Sequence, residues 1–143
     1  MRRACKRVTC AAITGAKLPN NAAEDSYNLL PVLKNGDGEK PVRPYTLQQT
    51  WSKHFSVRVG EWKYLDHQGS GGNNYERKSE FLAGLQQYII PDTEPDAPGQ
   101  LYNLKDDPGE TTNLYFKHPE KVKEMKALLD QSLASGRSAP VRE

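Results

Sequence analysis

The chain has 143 residues, of which 36% are hydrophobic and 27% charged, so it suits a single domain with one modest core. Its 11 glycines and 10 prolines predict a large share of loops. Four basic residues at the start (Arg2, Arg3, Lys6 and Arg7) account for the net charge of +2, because the other 16 of the 20 basic residues are outnumbered by 18 acidic ones. This balance argues against a nucleic-acid-binding surface.

The start of the chain resembles the basic part of a secretion signal only superficially. The stretch from Val8 to Ile13 is too short and too polar for the apolar part of such a signal, and no run approaches the ~20 apolar residues of a membrane span. We therefore expect a chain without a signal peptide and without a membrane partner. Cys5 and Cys10 have no histidine pair near them, which excludes a zinc-finger spacing, and we expect Cys10 to be buried and Cys5 exposed.

The first 44 residues predict little regular structure. Residues 8–16 read as the end of a helix closed by Gly15, which suits a left-handed cap. Residues 24–26 offer a capping side chain for a short helical turn over 27–30, which Pro31 either starts or interrupts. Residues 34–44 predict a loop.

The clearest local signal is a β-hairpin over residues 55–65. Alternation places Phe55, Val57 and Val59 on one face, and a Gly60-Glu61 turn sets Trp62 opposite Val59 and Tyr64 opposite Val57. On the other face Arg58 meets Lys63. Two interpretations of this like-charge pair are open. Either carboxylates or another surface cover the pair, or both side chains extend into water; we favour the extension into water.

A second hairpin-like handover leads to the last helix. Residues 101–104 predict a strand, and 106–109 predict a turn whose two aspartates suit hydrogen bonding to backbone N–H groups better than cation binding. A helix is predicted to begin at Pro119 and to end at Gly136. Its apolar stripe consists of Val122, Met125, Leu128, Leu129 and Leu133.

Between the hairpin and this strand, Gly69 to Asn74 predict a flexible turn, 79–88 a short helix or an irregular stretch, and 91–99, with three prolines, an extended or turned chain. The elements together indicate an α+β fold: a small antiparallel sheet of about four strands, packed by a carboxyl-terminal helix, with long loops. One helix covers one face of such a sheet and leaves the other in need of cover.

The residues offer no self-sufficient catalytic set. The histidines are His54, His67 and His118, and we interpret His118 as a helix-entry residue. His54 and His67 flank the hairpin and could face each other across it, where exposed structural histidines are commoner than a catalytic or metal pair. The Gly-rich stretch lacks the lysine and hydroxyl of a phosphate-binding loop, and no Gly-x-Ser-x-Gly elbow is present.

Three motifs in order resemble the carboxyl-terminal end of the sulfatases of the alkaline phosphatase superfamily. The first is the segment from Ala12 to Leu33; the second is the hairpin, which is similar to the family's F-A-I-R-x-G-x-W-K-L; the third runs from Leu101 to Leu114 and continues through the helix to Ser138. The resemblance covers residues 9–140. It implies three parts: a stub at 1–8 outside the family, a remnant of the segment leaving the catalytic domain at 9–33, and the sulfatase-like subdomain at 34–143.

The resemblance also implies what lies elsewhere. Sulfatases use a formylglycine made from cysteine in a Cys-x-Pro/Ala-x-Arg motif and a calcium ion, and neither Cys5 nor Cys10 is in such a motif. We therefore expect no cofactor, no metal site and no catalytic residue in this chain, and no activity of the chain alone. The first eight residues do not resemble the family, and the helix that follows them looks as if its first half is missing. Together these features favour a reading frame that begins inside a longer ancestral gene.

One part of the substrate side remains. Many sulfatases carry His-His-Ser before the hairpin, near the mouth of the active-site cleft, and alignment on Phe55 places Gln48, Gln49 and Thr50 there. Gln48, Gln49 and His54 are therefore our candidate substrate-binding residues in a complete enzyme. The alternative is that Gln48 and Gln49 are exposed polar loop residues.

Two other functional classes stay open. The chain could be a free-standing sulfated-glycan-binding module, with Trp51, Trp62 and Tyr75 as a carbohydrate platform, or a helper subunit for a separate catalytic chain. For a detached subdomain, the expected partner is a catalytic domain, or a second copy of the chain through the uncovered sheet face.

Overall fold

The computed structural model of the chain describes residues 6–36, 41–69 and 90–142. Three helices and four strands lie in these ranges, in the order α1 (Lys6–Thr14), α2 (Leu30–Asn35), β1 (Thr46–Gln49), β2 (Phe55–Val59), β3 (Trp62–Leu65), β4 (Gln100–Asn103) and α3 (Pro119–Ser135). The strands form one sheet in the order β1-β2-β3-β4. This confirms the predicted α+β fold with a four-stranded antiparallel sheet and a carboxyl-terminal helix.

The β2–β3 hairpin has the predicted register. Val57 pairs with Tyr64, Val59 pairs with Trp62, and Arg58 lies across from Lys63. Gly60 takes a φ of 56°, the left-handed conformation that the tight turn requires and that glycine adopts without a Cβ clash.

The core of the sheet lies on the face that Val57 and Tyr64 share. β4 pairs antiparallel with β3 and sets Leu101 opposite Tyr64, so the three side chains lie in a row across three strands. All three are buried, as are Met125 and Leu129 of α3. Burying large aliphatic and aromatic side chains stabilises by about 1.5–3 kcal/mol each, so this row supplies much of the sheet's stability.

Helix α3 begins at Pro119 and ends before Gly136, whose φ is 66°, as predicted. Val122, Met125 and Leu129 are buried. Leu133, however, is 42% exposed, and Ser132 is buried in its place. The predicted stripe is wrong at this last position because the buried face of the final turn follows Ser132, whose hydroxyl donates to Tyr45 Oη at 3.0 Å.

Most of the first 46 residues and the end of the chain form a compact unit of their own, Met1–Thr46 with Asp130–Glu143, and Leu47–Leu129 form the other. In the first unit, the Asp25 carboxylate accepts hydrogen bonds from the backbone N–H and the hydroxyl of Ser138, at 2.9 and 3.1 Å. Tyr27 Oη donates to the Ser138 carbonyl at 2.6 Å. The Arg142 guanidinium donates to the carbonyls of Pro19, Ala22 and Ala23, so residues 138–142 are joined to residues 19–27.

The early helices differ in part from the prediction. α1 ends at Thr14 and Gly15 takes a φ of 73°, as expected. The second helix is α2, which starts at Leu30 with Pro31 in its first turn, so Pro31 starts this helix rather than interrupting it, and the helix extends two residues into the predicted loop. The predicted turn over 27–30 is wrong because Asp25 and Ser26 use their side chains on distant backbone groups rather than as a cap.

No helix in the described ranges is long and apolar enough to cross a membrane. The predicted division at residues 8 and 33 stays a prediction. Cys5, most of the Gly-rich turn, Tyr75 and the stretch 79–88 lie outside the described residues.

Candidate functional site

The candidate substrate-binding residues lie on and just after β1. Gln48 and Gln49 are its last two residues and are exposed. They are strand residues rather than the loop residues of the alternative interpretation. No strand is predicted at this position because Thr-Leu-Gln-Gln lacks a second apolar residue to complete an alternation.

A tight turn joins β1 to β2. The Thr50 N–H donates to the His54 carbonyl at 2.9 Å, and the Lys53 N–H donates back to the Thr50 carbonyl at 3.1 Å. Thr50 Oγ1 accepts from the His54 N–H at 3.2 Å. Lys53 closes the turn with a φ of 65°, a left-handed conformation that is uncommon in residues other than glycine.

His54 and His67 do face each other across the hairpin. Their ring centroids are 4.9 Å apart and the ring planes are inclined by 39°. His54 is exposed, whereas His67 is buried and its Nδ1 lies 3.1 Å from the Gln68 carbonyl oxygen. That contact favours the Nδ1–H tautomer and leaves Nε2 of His67 buried without a hydrogen-bond partner.

Trp51 and Trp62 do not form a shared platform. Trp51 lies in the turn before β2, whereas Trp62 begins β3 beyond the far end of β2. A five-residue strand, about 16 Å long, separates the two positions. Trp51 is 99% exposed, and the half-buried Trp62 meets the His118 ring edge-on at 5.2 Å.

The buried side-chain amide of Asn113 holds together the connection from β4 to α3. Its Oδ1 accepts from the backbone N–H groups of Leu101 and Tyr115, both at 3.0 Å. Its Nδ2 donates to the Gly99 carbonyl at 3.3 Å and to Asp92 Oδ1 at 3.1 Å. Sequence reasoning assigned Asn113 no structural role; the general signal was that asparagine side chains in connections often hydrogen-bond to neighbouring backbone groups.

The acidic turn between β4 and α3 lies one residue later than predicted, and Asp107 bonds backbone N–H groups as expected, whereas Asp106 accepts from the side chain of Asn103. The Glu110 N–H donates to the Asp107 carbonyl at 3.2 Å, so the turn spans 107–110 with Pro108 in second position. The Asp107 carboxylate accepts from the backbone N–H groups of Thr111 and Thr112 at 2.7 and 2.8 Å. These bonds favour the ionised form and lower the pKa of Asp107.

The two residues of the like-charge pair on the hairpin, Arg58 and Lys63, have different surroundings. Arg58 is exposed and donates to the Gly60 carbonyl, as we favoured. Lys63 instead binds both carboxylate oxygens of Glu110 at 2.7 Å, so the favoured interpretation is wrong for Lys63. Glu110 reaches it from a turn in which its own φ is 55°.

Tyr102 lies on the same sheet face as Lys63 and directly opposite it. Burial raises the pKa of Tyr102 to about 12, and the carboxylates of Asp92, Glu110 and Asp107 add to the rise. Its hydroxyl donates to Gln100 Oε1 at 2.7 Å. This end of the sheet is therefore a satisfied structural network in which the phenol stays neutral.

A cleft of about 520 Å³ lies beside this network, with Trp62, Asp106, Asp107 and His118 on its walls. Asp107 is committed to backbone N–H groups, and Asp106 accepts from Asn103 Nδ2 at 2.8 Å. His118 precedes α3 and its carbonyl accepts from the Val122 N–H, which confirms it as a helix-entry residue. The cleft walls thus consist of side chains that already hold the turn and the helix start.

Within the ranges that the structure describes, no group of three or more His, Cys, Asp or Glu side chains could hold a metal ion. Cys10 is a free thiol and is exposed, so its predicted burial is wrong. The inward side of α1 is occupied by Thr9 and Ala11 instead.

The sequence of a curated enzyme aligns with most of the chain. It is the N-acetylgalactosamine-6-O-sulfatase of Bacteroides thetaiotaomicron, 32% identical over 120 residues. The match covers 84% of this chain and 21% of that enzyme. The chain is a carboxyl-terminal sulfatase subdomain. It spans about a fifth of the length of the curated relative that it matches, and no protein-family model matches it.

Solved structures agree with this assignment of the sulfatase subdomain. A Bacteroides thetaiotaomicron structure, described as a 6S-sulf protein of a core locus for metabolism of multiple glycosaminoglycans, superposes with a TM-score of 0.60 at 26% identity, over 87% of this chain and 23% of its own. A 2-O GAG sulfatase matches in fold with a TM-score of 0.54 at 24% identity, over 94% and 26%. A protein solved with its substrate D-glucosamine-2-N,6-O-disulfate shares the fold at 18% identity with a TM-score of 0.51, over 87% and 22%.

Proposed function

We propose that this chain is the part of a sulfatase that docks on the catalytic domain and completes the substrate side of its cleft, and that it hydrolyses no sulfate ester alone. The observation that carries the proposal is the extent of the match: most of this chain aligns with about a fifth of a sulfatase. The substrate class is a sulfated sugar, because the similar proteins are described as acting on sulfated N-acetylgalactosamine, on glycosaminoglycans and on a disulfated glucosamine.

In this proposal the β1–β2 hairpin is the substrate-facing element. Gln48 and Gln49 are exposed and each carries an amide that both donates and accepts hydrogen bonds, which suits sugar hydroxyls. His54 follows on the same turn and is exposed beside His67. The nucleophile, a formylglycine, and the calcium ion would be supplied by the catalytic domain.

The partner in this proposal is the catalytic domain, with self-association as the competing partner. Among described residues, the second face of the sheet is largely covered on β2 and β4: Ser56, Gln100 and Tyr102 are buried, whereas Arg58 is exposed. A docking contact through this face would therefore be polar, and apolar contacts would come from isolated exposed side chains such as Phe116.

A chimera tests the proposal. This chain would replace the matched fifth of the N-acetylgalactosamine-6-O-sulfatase, and sulfate release from N-acetylgalactosamine 6-sulfate would be compared with that of the truncated enzyme and of this chain alone. We expect the chimera to exceed the truncated enzyme, and the chain alone to equal a mock preparation. A matched chimera carrying Gln48→Ala and Gln49→Ala should show a higher KM. Turnover by the chain alone, or a chimera no better than the truncated enzyme, would contradict the proposal.

A further inference from the structure

Trp51 is a large apolar side chain that the fold leaves uncovered. It is 99% exposed, whereas Trp side chains are on average well buried. It does not lie on a loose tail: it sits in the turn closed by the hydrogen bonds between Thr50 and His54 and between Lys53 and Thr50. The indole is therefore held out on a defined backbone, which limits the conformational entropy lost when something binds it.

The surroundings of Trp51 indicate what would bind. The segment 46–54 around it contains Gln48, Gln49, Ser52, Lys53 and His54, all exposed, and no carboxylate. A protein interface needs a cluster of apolar side chains around its aromatic anchor, and this segment offers no second exposed aromatic or aliphatic residue. A sugar needs one flat aromatic face, flanked by groups that hydrogen-bond hydroxyls.

Lys53 indicates the charge of the ligand. Its left-handed φ of 65° fixes the direction of its backbone two residues after Trp51. Because the segment carries one permanent positive charge and no negative one, a sugar bearing an anionic sulfate is complementary to it.

We propose that Trp51 is a sugar-stacking residue whose indole packs against a ring of a sulfated glycan, with Lys53 facing a sulfate group. This inference takes its ligand class from the proposed function but concerns binding by this chain itself, so it is testable without a catalytic domain. It assigns the glycan contact to the tip of the β1–β2 turn, beyond the glutamines of β1.

Binding can be followed through the two tryptophans. In ¹H–¹⁵N spectra each indole N–H gives one signal, and a chondroitin 6-sulfate hexasaccharide should shift the Trp51 signal while leaving the half-buried Trp62 signal in place. Trp51→Ala should weaken binding about 2- to 13-fold, since an aromatic stack contributes ~0.5–1.5 kcal/mol beyond area burial. Trp51→Phe should restore most of it. Lys53→Ala should reduce binding of the sulfated hexasaccharide to that of unsulfated chondroitin.

Phe116→Ala is the matched control, because Phe116 is another exposed aromatic of the same unit and should not affect binding. The inference is overturned if the hexasaccharide leaves the Trp51 signal unchanged, if Trp51→Ala and Phe116→Ala weaken binding equally, or if Trp51→Ala changes only the association state in sedimentation. Glycan binding through Trp51 with an inactive chimera would refute the proposed function alone. This inference alone would be refuted if the chimera is active, its KM is the same with and without Trp51→Ala, and the hexasaccharide leaves the Trp51 signal unshifted.

Discussion

Replacing Asn113 by alanine should lower the free energy of unfolding more than the truncation of any other polar side chain described above. The amide makes four hydrogen bonds, and two of them, from the Leu101 N–H and to the Gly99 carbonyl, are buried. Leaving a buried backbone group unsatisfied costs about 1–3 kcal/mol. The two groups together predict a loss of about 4 kcal/mol in the free energy of unfolding, with the partly buried bonds to Asp92 and Tyr115 adding less because water can replace them.

Urea unfolding followed by circular dichroism measures this loss as a lower midpoint at unchanged slope. Asn103→Ala is the matched control, because Asn103 makes its two side-chain hydrogen bonds at the exposed surface, to Asp106 and from the Lys105 N–H. It should cost less than about 1 kcal/mol. A loss below about 1 kcal/mol for Asn113→Ala, or equal losses for the two variants, would refute the reasoning.

Three further predictions concern the same sheet. Gly99→Ala should lower the free energy of unfolding by about 1–3 kcal/mol, because its Cβ would lie 2.8 Å from the Leu65 carbonyl oxygen; an unchanged melting temperature would contradict this. A double-mutant cycle of Lys63→Met and Glu110→Gln should give a coupling of about 1 kcal/mol, because the pair is bidentate but partly exposed, and zero coupling would argue against the ion pair. The lowered pKa of Asp107 implies stability that is present above its usual value of 3.8 and is lost as pH falls through the lower folded-state pKa; Asp107→Asn should flatten this acid limb, and an unchanged limb would count against the carboxylate.

The parts of the fold that local pattern determines could be predicted. The hairpin follows from alternation on both sides of Gly60, and α3 follows from Pro119 and Gly136 at its ends. Both signals lie within a few residues of the structure that they specify. The meeting of His54 and His67 also follows, because each flanks one strand of a hairpin whose register is known.

The rest depends on contacts between residues far apart in sequence. Glu110 reaches Lys63 across 47 residues, and Ser138 reaches Asp25 across 113, so neither pairing leaves a local signal. β1 is a strand because β2 offers it backbone partners rather than because of its own residues. For the candidate site, the sequence singled out the positions of Gln48 and Gln49, but only the structure distinguishes the fully exposed Trp51 from the half-buried Trp62.

The Gln100 side chain links the two ends of the connection between β3 and β4. Gln100 Nε2 donates to the carbonyls of His67 and Gly69, at 3.1 and 2.8 Å, so the first residues after β3 are tied directly to the first residue of β4. Closing a longer loop between points already held together adds only about 0.6 kcal/mol per doubling of its length. We therefore expect the pairing of β4 with β3 to depend on this link at Gln100 rather than on the number of residues between Gly69 and Gln100.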